Sequence, residues 1–456
     1  MKIVVVGCGK IGTAIIGSLV AEGHDVTAVD IDAEVISGIT DQYDVMTVQG
    51  NGVDCDTLTE AGVADARLFI SVTPADEVNI LSCFLARRMG AHHTVARIED
   101  PNCSDRELAF IKQQTNVSMF LKPAQLMAGE LLNRLQLPSG VHAEYFARRT
   151  FEMIEVRLRE DSHLNGISLT EMRKKYRGRY LVCAVARGEE VVIPNGTFVL
   201  KGGDRVMLTA SPNEIDKLLK NLGYKAAASQ SVMILGGSHT AYQLGKLLID
   251  LGAKVKIIEQ DRPRCRVLCE ALPKAVIING DGTQGELLRE EGLLSTDAFV
   301  TLTGMDEENL LMSIFASKNK VPRTICKIDR SDFTDLAESL GVEEYVSPKR
   351  MISDVVIRYA RAIENSVGSN VETLYRILDG RVEALEFNVR PGFKYDKMPL
   401  MELRPKMKPN ILIGGILRDT EVIIPGGNDW IQVGDRVIVL AADQQLYDLS
   451  DIAAEG

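Results

Sequence analysis

Short apolar runs alternate along this chain with longer stretches in which apolar residues recur every three to four positions. In the first hundred residues the runs are 2–6, 26–30, 45–49, 68–73 and 94–98, each short and rich in β-branched residues. Runs without in-and-out alternation suit strands covered on both faces by helices, as in a parallel sheet. Between the first two, Ile11, Ala14, Ile15, Ser18 and Leu19 follow the i, i+3, i+4, i+7, i+8 spacing of a helix packed on such a sheet. The pattern predicts a doubly wound α/β domain. Pro123 and Pro348 each open a helix, because proline's missing N–H would be unpaired at a first helical position anyway. Apolar faces run through Leu126, Met127, Leu131 and Leu135, and through Met351, Ile352, Val355 and Tyr359. Beyond these helices, alternating segments with Asn-Gly and Gly-Asp turns over 151–210 and 382–442 predict small β-rich α+β domains.

The pattern then repeats. MKIVVVGCGKIG at the start returns as SVMILGGSHTA from Ser231, GNGVDCDTL at Gly50 as GDGTQGELL at Gly280, and FISVTPADEVNIL at Phe69 as FVTLTGMDEENLL at Phe299. VARIED at Val95 matches ICKIDR at Ile325, and VVIPNGTFVLKGGDRVMLTA at Val191 matches VIIPGGNDWIQVGDRVIVLA at Val422. The copies stand 229 to 231 residues apart throughout, so a whole two-domain unit is duplicated. The expected architecture is two Rossmann-like doubly wound parallel sheets in tandem, each followed by a small α+β domain. We divide the chain into a nucleotide-binding domain (1–120), a crossover helix (121–140) and a small regulatory domain (141–225). The second set is 230–347, 348–368 and 369–453.

Charge and composition narrow the function classes. Lys and Arg number 52 against 63 Asp and Glu, a formal charge of −11, which does not favour nucleic-acid phosphates or bare anionic lipid. The longest apolar runs, such as 411–417, fall far short of the ~20 residues that cross a bilayer, and the N-terminus lacks the layout of a signal peptide. A soluble, cytoplasmic protein without direct bilayer insertion is expected. Eight scattered cysteines form no CxxC pair and no zinc-ligand grouping; Cys265 and Cys269, four apart on a helix, read as reduced packing residues.

The clearest chemistry lies at the first strand's end. Gly7-Cys8-Gly9-Lys10-Ile11-Gly12 is a GxGxxG between a strand and an amphipathic helix. Gly7 permits the turn, Gly9 leaves the helix-start N–H groups open to a pyrophosphate, and Gly12 lets helix and strand pack closely. Asp30 ends the second strand, 23 residues after Gly7, where its carboxylate can accept from both ribose hydroxyls. That acid disfavours a 2′-phosphate, so NAD(H) is preferred to NADP; ATP and ADP carry the same diol. Lys10 could pair with a terminal phosphate, and Thr73 and Thr303 close the fourth strand of each copy. In the second copy Gly236-Gly237-Ser238-His239-Thr240 replaces the loop and Glu259 the acid; Ser238 hinders phosphate approach or converts it into a side-chain contact. Asp76-Glu77-x-Asn79 and Asp306-Glu307-x-Asn309 read as acids complementing the positive end of a helix rather than as a metal or partner site. No histidine joins a serine or cysteine nucleophile, so no catalytic residue is assigned. An NAD-dependent oxidoreductase would need an acid–base group that the small duplicated domains do not supply. A transcription factor would need a helix-turn-helix beside a basic surface.

The blocks together resemble the TrkA family, peripheral cytoplasmic subunits of the Trk potassium-uptake system, over essentially the whole chain. GCGKIG, Asp30, the QGNG segment at Gln49, VTPADEVN at Val72 and the two IP(N/G)G…GDRV modules carry the resemblance. It implies a non-enzymatic, nucleotide-sensing regulator assembled as a homotetramer ring at the inner face of the membrane, gating a potassium-translocating channel subunit. By position, the ligand contacts would be Gly7 to Ile11, Asp30, Asn51, Thr73, Pro74 and Ile98, with Ser238, Glu259, Asp281 and Thr303 in the second copy.

Overall fold

The apolar runs become buried strands because their β-branched side chains suit a pleat covered on both faces. The computed structural model describes residues 1–100, 103–138, 140–146, 151–176, 178–224, 229–330, 332–340, 342, 344–365, 371–378, 380–419, 421–442, 444, 446 and 448–453. In the first copy, β1 (Lys2–Val6), β2 (Asp25–Asp30), β3 (Met46–Gln49), β4 (Leu68–Ser71), β5 (His93–Arg97) and β6 (Met119–Leu121) form one parallel sheet of order β3-β2-β1-β4-β5-β6. That is the doubly wound order whose direction reverses between β1 and β4, where ligands bind beyond the strands' carboxyl ends. After β7 (Val141–Phe146), β8 (Phe151–Arg157), β9 (Tyr180–Arg187), β10 (Glu190–Val192) and β11 (Arg205–Ala210), the second copy repeats the parallel sheet. Its strands are β12 (Ser231–Leu235), β13 (Lys254–Glu259), β14 (Val276–Asn279), β15 (Ala298–Thr301), β16 (Arg323–Lys327) and β17 (Tyr345–Val346), in the equivalent order. β18 (Val371–Ile377), β19 (Val382–Asn388), β20 (Ile411–Arg418), β21 (Glu421–Ile423) and β22 (Arg436–Ala442) end the chain.

Chain contacts define two units. The first joins Met1–Leu132 with Ser229–Ile357, the two parallel-sheet copies; the second joins Asn133–Ala228 with Arg358–Gly456, the two small domains. Within the first, Val4, Val6, Val29, Val48, Leu58, Phe69 and Ala86 form one core, and Met233, Leu235, Ile258, Leu288, Phe299 and Ala316 the corresponding second core. Within the second, β7 to β11 and β18 to β22 form two five-stranded antiparallel sheets, β10-β9-β11-β8-β7 and β18-β19-β22-β20-β21. They share a core in which Phe151, Met153 and Cys183 of one pack with Ile377, Ile438 and Leu440 of the other. In each, a wholly buried aspartate from the repeated GDRV segment (Asp204, Asp435) takes a forked ion pair from Arg187 or Arg418.

Several expectations are corrected. Each parallel sheet has a sixth strand, too short to register as an apolar run, and β7 and β18 precede the starts read at 151 and 382. β4 and β15 stop at Ser71 and Thr301, short of Thr73 and Thr303, because buried Asn79 and Asn309 capture the N–H groups of those threonines. The helices Pro123–Gln136 and Pro348–Asn365 start where the prolines place them. Their buried faces are shifted: Met127, Ala128, Leu131 and Leu135 are buried while Leu126 is half-buried, and Ile352, Val356, Ile357 and Ala360 are buried while Met351, Val355 and Tyr359 are half-buried. Cys265 is buried but Cys269 is exposed, so only the first packs.

Candidate functional site

The GxGxxG segment is built as its glycines require. Gly7 has φ +89°, and an added Cβ would lie 2.8 Å from the Thr73 nitrogen; at Gly12 it would lie 1.8 Å from the Gly7 carbonyl oxygen. Gly9 differs: its φ is −65°, and a Cβ there meets nothing within 4 Å. It opens the helix Lys10–Ala21 with no side-chain cap, leaving space in front of the first N–H groups and the helix's positive end.

Asp30 anchors this loop. Its carboxylate accepts from the Cys8 N–H at 2.6 Å and from the Asp32 N–H at 3.0 Å. An ionised carboxylate has about four acceptor positions, so two backbone bonds leave room for a vicinal diol. Cys8 itself faces the core: its thiol reaches the Val29 carbonyl, and burial together with the nearby Asp30 charge pushes its pKa up to about 12. The native protein should therefore label with an aromatic disulfide first at exposed Cys55 and Cys269, and at Cys8 only on unfolding. Peptide mapping after timed labelling reads this, and Cys8 labelling as fast as Cys55 would contradict the packed loop.

A cavity of about 890 Å³, within the usual range for ligand pockets, opens at the carboxyl ends of the first sheet's strands. Gly7, Gly9, Lys10, Ile11, Asp30, Asn51, Thr73 and Pro74 all line it, so most of the first-copy residues marked from sequence meet in one place. Ser238, His239 and Thr240 line the same cavity rather than a separate one. Cys8, Gly12 and Ile98, which are buried, do not line it, and neither do Gly236, Gly237, Glu259, Asp281 and Thr303. Asp281 turns its carboxylate onto its own loop, accepting from Thr283 and Gln284.

Other wall residues were not singled out from sequence: Arg97, Glu99, Lys327, Asp329 and Lys349. Arg97 and Lys327 end β5 and β16, Glu99 and Asp329 follow them, and Lys349 lies in the first turn of the helix Pro348–Asn365; the recurrence of VARIED as ICKIDR is the signal that could have found the first four. Arg97 forks onto Glu99 at 2.7 and 3.2 Å, and His239 of the second copy reaches Glu99 at 3.5 Å. Burial pushes the Glu99 carboxyl up, but the hydrogen bonds from His239 and Arg97 outweigh it and hold the group below the usual glutamate range. Lys327 lies 3.5 Å from Asp329, whereas Lys10 and Lys349 have no carboxylate partner among the described ion pairs. The cavity wall thus holds the strand-end carboxylate of Asp30 together with two lysines, Lys10 and Lys349, that stand outside the described ion pairs.

The acids that open the helix Asp76–Met89, and its second-copy counterpart Asp306–Lys318, do more than complement a positive helix end. Asp76 accepts from the Glu99 and Asp100 N–H groups at about the ordinary 2.9 Å, and Asn79 clasps Thr73 and the Arg97 carbonyl. Asp306 and Asn309 do the same in the second copy. These residues brace the loops after the fourth and fifth strands of each sheet. No group of three metal-ligating side chains occurs among the described residues.

A switch-point cavity with a glycine turn, a strand-end acid and a duplicated scaffold defines a tandem pair of Rossmann-type nucleotide-binding domains with small appended β-rich domains. The TrkA-N domain family matches residues 3–106 and 232–348, and the TrkA-C domain family residues 153–223 and 384–454. A Trk system potassium uptake protein TrkA homolog of Methanosarcina mazei is 30% identical over 449 residues, covering 97% of both chains. The TrkA of Haemophilus influenzae is 26% identical over 453 residues, covering 98% of this chain and 96% of its own. The chain belongs to the TrkA family of Trk-system potassium uptake proteins. Among solved structures, the GsuK channel bound to NAD shares the fold over 97% of this chain and 77% of its own, with TM-score 0.64 at 16% identity. GsuK bound to ADP aligns over 80% and 69%, with TM-score 0.51 at 13% identity. Among the described residues no helix is long and apolar enough to cross a membrane.

Proposed function

We propose that this TrkA-family regulator of potassium uptake senses adenine nucleotides at the first-copy cavity and transmits their occupancy to a membrane potassium-translocating subunit. One observation carries the reading: Gly9, Lys10, Asp30, Asn51 and Thr73 come together around a single cavity at the sheet's switch point. The residues named from the sequence in the first copy, Gly7 to Gly12, Asp30, Asn51, Thr73, Pro74 and Ile98, are assigned to nucleotide binding or to shaping its loop. NAD(H) is the preferred ligand, with ATP and ADP as competitors for the same acid. The bound GsuK structures, which carry NAD in one case and ADP in another, support that ligand class. We read the chain as non-catalytic, working at the cytoplasmic face as a homotetrameric ring, and each crossover helix as the link between its nucleotide-binding and regulatory domains. A ligand moves such a gate only through its difference in affinity between two shapes; a ~100-fold difference corresponds to about 2.7 kcal/mol.

The test is Asp30→Ala. Losing a charged acceptor for the ribose removes about 1.5–3 kcal/mol, so calorimetry should show NADH and ATP affinity falling together by about 10- to 100-fold. Unchanged affinity for both would remove Asp30 from the site and the nucleotide reading with it.

A further inference from the structure

The second copy keeps a strand-end acid, so its loop invites the same ligand; its contacts say otherwise. Positions there stand 229 residues beyond their first-copy equivalents, which places Ser238 opposite Gly9, Tyr242 opposite Thr13, Glu259 opposite Asp30, Arg264 opposite Val35 and Leu268 opposite Ile39. In the first copy the Cys8 carbonyl is satisfied locally by the Thr13 hydroxyl at 2.8 Å, and Val35 forms part of the cavity wall. Tyr242 cannot make Thr13's bond. Instead the half-buried Arg264 reaches across, and its Nε donates to the Gly237 carbonyl at 2.5 Å. A methyl group added at Gly237 would stand 2.7 Å from Leu268 Cδ1 and 2.9 Å from Glu259 Oε2. Glu259 accepts from the Gly237 N–H at 2.6 Å and the Asp261 N–H at 2.7 Å, the same pair of bonds that Asp30 makes in the first copy, so the difference between the loops lies in Arg264 and Ser238 rather than in the acid. At the helix start, where Gly9 leaves open space, the Ser238 hydroxyl accepts from the Ala241 N–H at 3.3 Å, taking a donor that a phosphate would use.

We propose that Arg264 and Ser238 hold the second glycine loop in a self-satisfied state, so that each chain takes up a single adenine nucleotide, at the first-copy cavity. The second copy contributes its loop only as that cavity's far wall, through Ser238, His239 and Thr240. Val35 to Arg264 and Gly9 to Ser238 are the exchanges that make the two halves unequal. This rests on the nucleotide reading above and adds its stoichiometry.

The experiment is equilibrium binding of NADH, and separately of ATP, to the full chain and to two variants. Wild type should bind one equivalent per chain, and Gly9→Asp, which blocks only the first loop, should bind none. Arg264→Val combined with Ser238→Gly restores the first-copy residues and should add a second equivalent. Two equivalents in wild type, or one retained by Gly9→Asp, would overturn the inference while leaving nucleotide sensing intact. No second equivalent in the double variant would overturn the role of Arg264 and Ser238. No binding of either nucleotide to folded wild type would sink the nucleotide reading itself.

Discussion

Gly9→Asp should abolish nucleotide binding, by 100-fold or more, while leaving the protein as stable as before or slightly more so. The two halves of that outcome have separate causes. Gly9 has an ordinary extended backbone at φ −65° and ψ −169°, and an added Cβ has nothing within 4 Å, so the fold accepts a side chain there. Aspartate is also a preferred N-cap, and the helix Lys10–Ala21 has no side-chain cap; the new carboxylate can accept from its orphan N–H groups and add about 0.3 kcal/mol over glycine. The same carboxylate then occupies the helix's positive end, removing donors a phosphate would use and placing like charge against it. In a half-enclosed cavity those two effects together exceed the ~2.7 kcal/mol that a 100-fold loss requires. Calorimetry with NADH and ATP, beside a thermal melt, reads both halves. Retained affinity would mean that no phosphate approaches Gly9. A melting point several degrees lower would mean that the space above Gly9 is not free. Gly7 and Gly12 allow no such separation, because a methyl group at either strikes backbone.

The contrast between Gly9 and its neighbours marks how far the sequence could be read. The glycine spacing, the 23-residue interval to Asp30 and the duplicated blocks all encode local backbone geometry, which is written in adjacent residues. They were legible, and the doubly wound sheets follow from them. The cavity's other wall was not. Whether His239 faces a second nucleotide or reaches Glu99 of the first copy depends on how two sheets separated by more than 200 residues pack against each other. Nothing in either motif states this. Arg264 was invisible for a similar reason: an arginine in a helix's first turn looks solvated until its guanidinium is found on the Gly237 carbonyl. Asn79 shows a third kind of omission. Its segment read only as acids complementing the positive end of a helix, yet Asn79 is wholly buried and braces the loop that follows β4. The shifted faces of the crossover helices have the plainest cause, since an apolar stripe broader than the available contact leaves its edge half-buried.

Phe151→Ala should cost about 3–5 kcal/mol in the unit of small domains and leave nucleotide affinity in place. Phe151 is among the largest fully buried side chains, at 1% exposure, and lies in the core shared by the two antiparallel sheets. Its ring fills the space left by Gly415 of the other repeat, where an added Cβ would stand 2.2 Å from a ring carbon. Beside it, Gly414 leaves room for Leu440 and Met153. Here the repeats have diverged in complementary directions. The first copy carries Cys183 and Ala184 where the second carries Gly414 and Gly415, so bulk on one side answers absence on the other. Truncating the ring therefore opens a void between domains rather than inside one, and both sheets lose packing. None of the cavity-lining residues belongs to this unit, so NADH titration should give the wild-type affinity while hydrogen exchange in β8, β9 and β22 rises. Loss of binding in step with unit stability would show that nucleotide recognition depends on the small domains as well. Preserved binding with loosened small sheets would make the variant a means of testing sensing apart from transmission, with potassium flux through the reconstituted system expected to lose its response to nucleotide.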